Sequence, residues 1–495
     1  MNSTLLPRWL ATFFGFAALL PLLEQLAPAL RQLLLLLHDF RKRPVTPQST
    51  LAFERALSQQ TQALNRRILE WLFNRIEPDD PQQNPPRVCA NGEVYRRRGK
   101  HPNTVATLFG EVILRRFLYE PLERGERSIH PLEMQLGIQA GLATPALAER
   151  VGQYAAQHPQ RTVLELLRRE HDVAWSAQTL RTLTAHLAAG MSPHRHEAQV
   201  ARLLEWLKKA QARRGRHRPV LAVGRDGIHV PLRHGQYREG SVGTISVFDR
   251  RGRRLGTVYL GRMPEAEQVT LTAQLTAVLE ELLRRWQGPL PRLAYVTDGG
   301  WLPTAYYRRV LRRMEHPCHP GVRLHWERIL DFYHVSTYVY QLGEALFGEG
   351  SLARWWGRQM CKRLKSGQGI TRVLQSAGYY RNQGNLTAAQ QRAYTKAHSY
   401  LWKRRKFMDY ARYRREGLPL GSGVTEAACK TVFTQRLKQS GMSWEIESGQ
   451  VIVDLRVIWL SGIWSEVYQA HLSCQQERVI DSKPVAGKKK ARKAA

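Results

Sequence analysis

Two short apolar runs, Val220-Leu221-Ala222-Val223 and Leu293-Ala294-Tyr295-Val296, each lead within three residues to an aspartate, Asp226 and Asp298. Continuous apolar runs of this length, bounded by turn-forming residues, read as strands buried on both faces. An acid that follows such a strand points into the crevice where open α/β sheets gather their ligands. A third acid, Glu426, opens a helix directly after Gly421-Ser422-Gly423. The chain is thereby constrained to an α/β design in which segments far apart in sequence share one acidic crevice.

The charge balance sets the class of partner. Lys plus Arg number 75 against 41 Asp plus Glu, a formal net charge of +34. So large an excess suits neutralisation of phosphates, with binding that is salt-sensitive and partly independent of sequence. A ribosome-associated or simply basic protein explains the charge equally well, but not the placement of the acids. Acids gathered within a basic chain point to bound Mg²⁺ acting on a polyanion. The five cysteines are scattered, odd in number and without CxxC spacing. They form neither a disulfide framework nor a structural zinc site, which fits a reducing cytoplasm. His316-Pro317-Cys318-His319 reads as a turn, since no second ligand pair accompanies it.

The amino terminus admits two readings. Trp9 to Leu20 is apolar after Arg8, and Ala27-Pro28-Ala29 loosely resembles a cleavage site, so a signal peptide competes with an apolar helical extension over residues 1–48. Pro21, Glu24, Gln25, Pro28 and Arg31 interrupt the stretch before Leu33 to Leu37, so no clean span of about 20 apolar residues is expected to cross a membrane. The extension is the favoured reading, with a cytoplasmic, nucleoid-associated chain.

Residues 49–207 read as a mainly helical region. One amphipathic helix covers about 49 to 77, Pro78 to Pro86 is a linker, and Thr107 to Tyr119 is a single half-exposed strand segment. Thr162 to Glu170 is a helix, His171 to Trp175 a turn, and Ser176 caps a helix running to Ala189. That helix-turn-helix pattern offers Gln178, Thr179, Arg181 and Thr182 to a major groove. An ordinary helical hairpin reads the same way. A basic linker, Lys208 to Arg218, precedes a strand-rich part over 208–340. There a strand at Pro219 to Val230 is followed by a hairpin of Ser241–Phe248 and Leu255–Leu260, a helix over about 265 to 286, and the strand before Asp298. A helix at 304–315 and a strand over His325 to Leu330 follow, then a helical, basic and aromatic insertion over 341–417. Residues 418–465 carry Glu426 and complete the core, with Ile446 to Trp464 packing on the sheet. Residues 466–495 form a basic tail. Strand, hairpin, helix, strand, with acids at the key ends, is the order of an RNase H-like mixed sheet.

Each acid alone is weak. Asp226-Gly227 and Asp298-Gly299-Gly300 are also ordinary turn sequences, and Glu426 also suits the positive end of a helix. The joint pattern carries more, and here a resemblance enters. Leu420-Gly421-Ser422-Gly423-Val424-Thr425-Glu426, continuing through Arg436-Leu437-Lys438-Gln439-Ser440-Gly441-Met442-Ser443-Trp444, resembles the carboxy-terminal signature of ISKra-type insertion-sequence transposases. Asp331-Phe332-Tyr333-His334 resembles an Asp/Cys-x-x-His element found there and in Mutator-like relatives. Thr107-Leu108-Phe109-Gly110-Glu111-Val112 resembles their amino-terminal strand. The likeness covers about residues 50 to 465. Relatives often carry cysteines after that strand, and none stands near Tyr119 here.

The resemblance implies a DDE transposase with an RNase H-like core interrupted by a helical insertion. It implies Asp226, Asp298 and Glu426 as catalytic residues holding two Mg²⁺ ions, with Mn²⁺ as a substitute. Phosphodiester transfer by this route uses metal ions about 4 Å apart and needs no protein nucleophile. Asp331 either replaces Glu426 as third ligand or, with His334, braces the site. Bracing is the expectation, and His334 also reads as a satisfied core histidine. Lys430, one turn after Glu426, either holds a phosphate or pairs with Glu426. Lys403, Arg404, Arg405 and Lys406 interleave with aromatics in a pattern suited to phosphates and unpaired bases, or to a helix with an aromatic core face. Arg181, Arg436 and Lys438 join them as expected DNA contacts. The implied partner is double-stranded DNA, both element ends and target. A homo-oligomer, at least a dimer when two ends are joined, is expected, and no small-molecule substrate.

Overall fold

The computed structural model describes residues 19–90, 92–122, 127–367 and 369–476. The first residues of the Trp9 to Leu20 run and the Lys488 to Lys493 tail therefore lie outside the described residues. The chain divides into two compact units, one of residues up to Gly190 together with Tyr468 onward, the other of Met191–Val467.

The first unit opens with helix α1 (Leu20–Lys42) and helix α2 (Pro47–Ile76), joined so that Phe40 and Phe53 stack with ring centroids 4.0 Å apart. The prolines expected to break the first segment do not. Pro21 lies in the first helical turn, where its missing N–H has no partner to lose, and Pro28 is accommodated within the helix. By length and composition α1 is therefore long and apolar enough to cross a membrane, contrary to the expectation from sequence. A three-stranded antiparallel sheet follows, β1 (Arg87–Ala90), β2 (Glu93–Thr107) and β3 (Gly110–Pro121), in the order β1-β2-β3. The strand segment expected over Thr107 to Tyr119 is β3 from Gly110 on, entered from the last residue of β2 by a turn, with Gly110 at φ 109° starting the return. Its partner β2 escaped notice because Arg96-Arg97-Arg98-Gly99-Lys100 carries no apolar alternation. Pro102 sits in β2 beyond the short reach of β1, so its missing donor faces an open edge. Helices α3 (Pro131–Gln135), α4 (Pro145–Gln157) and α5 (Gln160–His171) complete the unit with the start of α6 (Ala177–Ala212). Ser176 caps α6 by accepting the Thr179 N–H at 3.0 Å.

Helix α6 runs well past the expected end at Ala189 and takes in the first residues of the expected basic linker. A proline within a helix costs about 3 kcal/mol, but Pro193 is followed by Val200, Leu203 and Leu207, all fully buried. Burying each such side chain gives back about 1.5–3 kcal/mol, so the helix continues.

The second unit is mixed α/β around a five-stranded sheet. Its strands are β4 (Val220–Pro231), β5 (Tyr237–Phe248), β6 (Arg254–Arg262), β7 (Arg292–Thr297) and, after a short hairpin of β8 (Glu315–His316) and β9 (His319–Arg323), β10 (Trp326–Leu330). The order is β10-β7-β4-β5-β6. β4, β7 and β10 are parallel, and β5 and β6 are antiparallel. Helix α7 (Val269–Arg285) supplies the crossover that a parallel return from β6 to β7 needs. Alternation along the strands sorts the core. Leu221, Val223 and Tyr295 pack with α7 on one face. Val220, Ala222, Ala294 and Val296 pack on the other face with a helical layer. That layer comprises α9 (Phe332–Phe347), α10 (Ser351–Leu364), α11 (Gly369–Gln383), α12 (Ala388–Arg404) and α13 (Tyr410–Arg415), whereas α8 (Trp301–Arg309), next in the chain after β7, packs through Tyr306 on the α7 face. The helix expected at 304–315 starts earlier, at Trp301, and ends at Arg309, with a 3-10 turn at Leu311–Arg313 before Glu315 pairs in the β8–β9 hairpin. The chain then returns through α14 (Gly423–Ala428), a π-helical turn over Cys429–Thr434, α15 (Gln435–Leu437), α16 (Ile446–Leu460) and α17 (Trp464–Gln476). Gly261 of β6 lies against Val453 and Val457, so α16 covers the sheet.

Candidate active site

The register of the parallel strands sets the site. β4 and β7 pair from Val220↔Arg292 to Gly224↔Val296, and β10 pairs with β7 up to Leu330↔Thr297. Asp226 and Asp298 each follow the last β4–β7 pair by two residues, and Asp331 follows the last β10–β7 pair by one. The three aspartates therefore stand at one level on three adjacent strands. Asp226 does not end its strand, as the sequence suggested. β4 continues to Pro231, paired with β5 alone, and Asp226 lies opposite Val242. What ends there is the parallel pairing with β7, and this opens the crevice.

Helix α14 brings Glu426 to the same place. Its approach depends on Gly224, two residues before Asp226 in β4. A Cβ at Gly224 would stand 2.0 Å from Thr425 Oγ1, so only glycine lets the helix close on the strand. Thr425 Oγ1 then meets Thr244 Oγ1 of β5 at 2.8 Å. The next turn is π-helical, and its first residue, the buried Cys429, directs Sγ at Asp226 Oδ2, 3.5 Å away. Widened turns of this kind often accompany functional sites.

The acids are satisfied unequally. Asp331 is wholly buried and caps α9, its Oδ1 accepting the His334 N–H at 2.8 Å. Its Oδ2 accepts the Ser422 N–H and lies 2.5 Å from Ser422 Oγ. The same hydroxyl lies 3.0 Å from Glu426 Oε1. A serine hydroxyl has one proton to give. The shorter contact marks Asp331 as its receiver, and Glu426, which is exposed, keeps lone pairs free. Asp298 Oδ1 accepts the Gly300 N–H at 2.9 Å, and Asp226 Oδ1 accepts the Gly227 N–H at 2.8 Å. From the helical layer, Tyr400 Oη donates to the Asp298 carbonyl at 2.7 Å. Arg404 lies over the Tyr400 ring at 4.2 Å and reaches the Gly299 carbonyl at 3.4 Å. His334 stands edge-on to Tyr338 and Tyr400, which stack at 3.6 Å.

Burial raises the Asp226 carboxyl above its ordinary value; the Gly227 N–H restrains it, and the charges of Asp298 and Glu426 push it further up. The Cys429 thiol is held far above its usual range, first by burial and then by the Asp226 charge. Asp298 and Glu426 thus both act on Asp226. Among the described residues none of the three forms an ion pair with Lys or Arg, although the chain carries a net charge of +34. Glu426 and Lys430 are both exposed and unpaired with each other. Among the described residues, no group of three His, Cys, Asp or Glu stands in the spacing that encloses a metal ion as the side chains lie. The donor set nonetheless suits Mg²⁺ on chemistry, since hard carboxylate oxygens in mutual repulsion are relieved by a hard cation. Asp226, Asp298 and Glu426 are the residues that would hold it. The His316 to His319 segment is the β8–β9 turn, with exposed Cys318 donating to the Arg284 carbonyl.

The other expected residues are dispersed. Arg181 is exposed on α6 in the first unit. Lys403, Arg405 and Lys406 are exposed in and after the last turn of α12, with Arg405 over Trp402 at 4.0 Å. Lys430 is exposed and Lys438 half-buried. Arg436 does not face solvent. It is 1% exposed and lies over the Trp444 ring at 5.5 Å, and burial, then Arg456, lowers its guanidinium to about 10. The expectation that it contacts phosphate is corrected: alternation within a basic segment says nothing of which cation is buried. Sequence reasoning also passed over Ser422, Cys429, Tyr400 and Gly224. Cys429 was accessible to it, one helical turn from Glu426, whereas Tyr400 meets Asp298 only through the helical layer. In comparisons with known proteins, no family model and no curated protein matches this chain.

Proposed function

We propose that this chain is a DDE transposase with an RNase H-like core, which binds the ends of an insertion sequence and catalyses Mg²⁺-dependent DNA cleavage and strand transfer. The observation that carries the reading is the level register of Asp226 and Asp298 on adjacent parallel strands, with the Glu426 charge acting on Asp226, in a chain of net charge +34. A hairpin of two antiparallel strands beside three parallel ones, β6-β5-β4-β7-β10, agrees with an RNase H-like sheet.

Asp226, Asp298 and Glu426 would hold two Mg²⁺ ions (Mn²⁺ substituting), which would supply Lewis-acid activation of the attacking oxygen and stabilisation of the leaving oxygen. The chain's own residues do the rest. Asp226, Asp298 and Glu426 offer the oxygens. Asp331 accepts the Ser422 N–H and O–H hydrogen bonds and anchors the loop that carries Glu426, which is a bracing role. Tyr400 and Arg404 hold the successive Asp298 and Gly299 carbonyls. Lys403, Arg405, Lys406, Lys430 and Lys438 hold phosphates near the crevice, and Arg181 belongs to a separate DNA-reading helix pair. Joining two ends calls for at least a dimer.

The test incubates the purified protein with labelled DNA from either side of its own gene, with and without Mg²⁺, beside Asp298→Asn. Mg²⁺-dependent cleavage and joining, lost in the variant, is the expected result. Hydrolysis without joining makes the chain a structure-specific nuclease. Binding without cleavage makes it a DNA-binding repressor or a decayed enzyme.

A further inference from the structure

Helix α1 carries two apolar stripes, and α2 covers one of them. Leu22, Leu26, Ala29, Leu33, Leu36 and Phe40 recur at alternating steps of four and three. The first three are buried, the others are half-buried, and Phe40 stacks on Phe53 of α2. Leu20, Leu23, Ala27, Leu30, Leu34 and Leu37 recur at steps of three and four, about a third of a turn away. All six are exposed, the leucines from 36% at Leu30 to 65% at Leu34. Pro21, Pro28 and the exposed Leu35 fall outside both stripes. The hairpin is firmly seated. Asn74 of α2 donates to the Ile113 carbonyl of β3 at 2.9 Å and accepts the Arg115 N–H at 2.7 Å. Helix α2 thus packs between β3 and α1, and the second stripe of α1 is left open.

The spacing of the open stripe identifies its occupant. An apolar residue every 3.5 positions or so is the seam by which one α-helix packs on another. A bilayer asks instead for apolar residues all round the helix, and Glu24 and Arg31 lie within this span. Helix α2, held to α1, carries Glu54, Arg66, Arg67 and Glu70, so the hairpin is no pair of membrane spans. The flanks of the stripe then choose the helix. One flank is the first stripe, closed by α2. The other holds Glu24, Arg31 and His38, each next to a stripe leucine. Among the described residues neither Glu24 nor Arg31 forms an ion pair, and two helical turns, about 10 Å, separate them. Laid antiparallel, the stripe is its own complement. Leu20 meets the partner's Leu37, Leu23 the partner's Leu34, and Ala27 the partner's Leu30. Like flanks come together, so that Glu24 meets the partner's Arg31. Each pairing occurs twice, as a twofold axis demands. A parallel arrangement sets the charged flank against the one that α2 closes, where Glu24 finds no cation.

We propose that α1 is a self-association surface, through which two copies of this chain pair antiparallel along the open stripe, with Glu24 of each copy against Arg31 of the other. The four helices of the two hairpins then form one bundle. The stripe is about 26 Å long, a small interface that suits a reversible dimer. It supplies the dimer that joining two DNA ends calls for, yet it stands without that reading, because nothing in it uses the carboxylates.

Sedimentation equilibrium of the nuclease-treated full-length protein, without DNA or Mg²⁺, tests this. A reversible monomer–dimer equilibrium is expected. Leu34→Lys changes a side chain that faces solvent in the monomer, so the Tm of dilute, monomeric protein holds. The dimer Kd rises by about 10²–10⁴-fold, since two leucines are lost from each dimer. Glu24→Arg and Arg31→Glu each weaken self-association by about 2- to 30-fold, through the loss of two surface pairs. Mixed together, these two single variants pair with each other more tightly than either pairs with itself, a result that only the antiparallel register gives. A chain that stays monomeric up to about 100 µM overturns the proposal. So does a dimer that Leu34→Lys and the mixed charge variants leave unchanged. A monomer that binds phosphatidylcholine vesicles, and loses them with Leu34→Lys, assigns the stripe to a bilayer and overturns the pairing as well. Cleavage assays keep the two ideas apart. A stripe-dependent dimer without Mg²⁺-dependent cleavage sustains the interface and removes the catalytic reading; cleavage by a chain that never dimerises through α1 removes the interface alone.

Discussion

Asp331 and Asp226 stand at the same level of one sheet, on strands separated only by β7, yet their surroundings are opposite. On the β10 side the carboxylate is wholly buried and takes hydrogen bonds from Ser422 and His334. On the β4 side the carboxylate is partly buried, takes one backbone hydrogen bond and a long contact from Cys429, and faces two other acids. A satisfied buried acid holds structure together, while an acid left in repulsion is poised for a cation. The same residue type therefore meets two environments, set by how many donors the fold turns toward it.

The sharpest way to break this contrast is to neutralise each side. Asp226→Asn, Asp298→Asn and Glu426→Gln are each expected to lower DNA cleavage by at least about 10²–10³-fold, the scale for losing one electrostatic stabiliser, while DNA binding measured by electrophoretic mobility holds. Full cleavage in any of them removes that residue from the site.

Next in size is Gly224→Ala, whose methyl must displace Thr425 from a 2.0 Å contact. Overpacking of this kind costs about 1–3 kcal/mol, and here it also moves Glu426. Cleavage and Tm are both expected to fall, and Gly224→Ala/Thr425→Ala to recover part of each. A double variant no better than Gly224→Ala alone shows that Thr425 is not the obstacle.

Asp331→Asn places an amide against the Ser422 donors and is expected to cost about 1–3 kcal/mol in stability, the penalty for an unmet buried group. Cleavage weakens but persists. Complete loss of cleavage with an unchanged Tm and normal DNA binding would move Asp331 to the ligand side of the comparison.

The smallest effect is in pH. The Asp226 pKa is raised in the folded state, chiefly by burial, so the folded chain binds that proton more tightly than the unfolded one. Its contribution to stability is present at low pH and is lost as the pH rises through the ordinary value of 3.8 and on through the raised one. Metal-free protein is expected to lose Tm over that window, and Asp226→Asn to lose less. Added Mg²⁺ is expected to raise the Tm more at the upper end of the window, where no proton competes. An identical pH dependence of Tm in the two proteins shows that Asp226 does not titrate abnormally.

The strands that carry the aspartates were legible because their apolar runs must be buried, and burial on both faces leaves no alternation to mistake. The hairpin at Asp249-Arg250-Arg251-Gly252 and the crossover helix α7 were legible for the same local reasons, turn chemistry and helical spacing. The strand pair β2–β3 was half missed, since β2 is held by its neighbour rather than by its own pattern. Helix α6 outran its expected end because buried leucines beyond Pro193 outweigh one lost hydrogen bond, a sum that local propensity does not contain.

The sequence by itself determined the kinds of chemistry at hand: acids after buried strands, an acid after a glycine-rich loop, and a surplus of cations. Only the tertiary structure decided what surrounds each acid. Register put Asp226, Asp298 and Asp331 at one level, and the loop before α14 brings Ser422 Oγ closer to Asp331, at 2.5 Å, than to Glu426, at 3.0 Å. Hydrogen-bond satisfaction and burial arise from segments far apart in the chain, so the division between bracing acid and free acid, and the burial of Arg225 and Arg436, were written in no local stretch of residues.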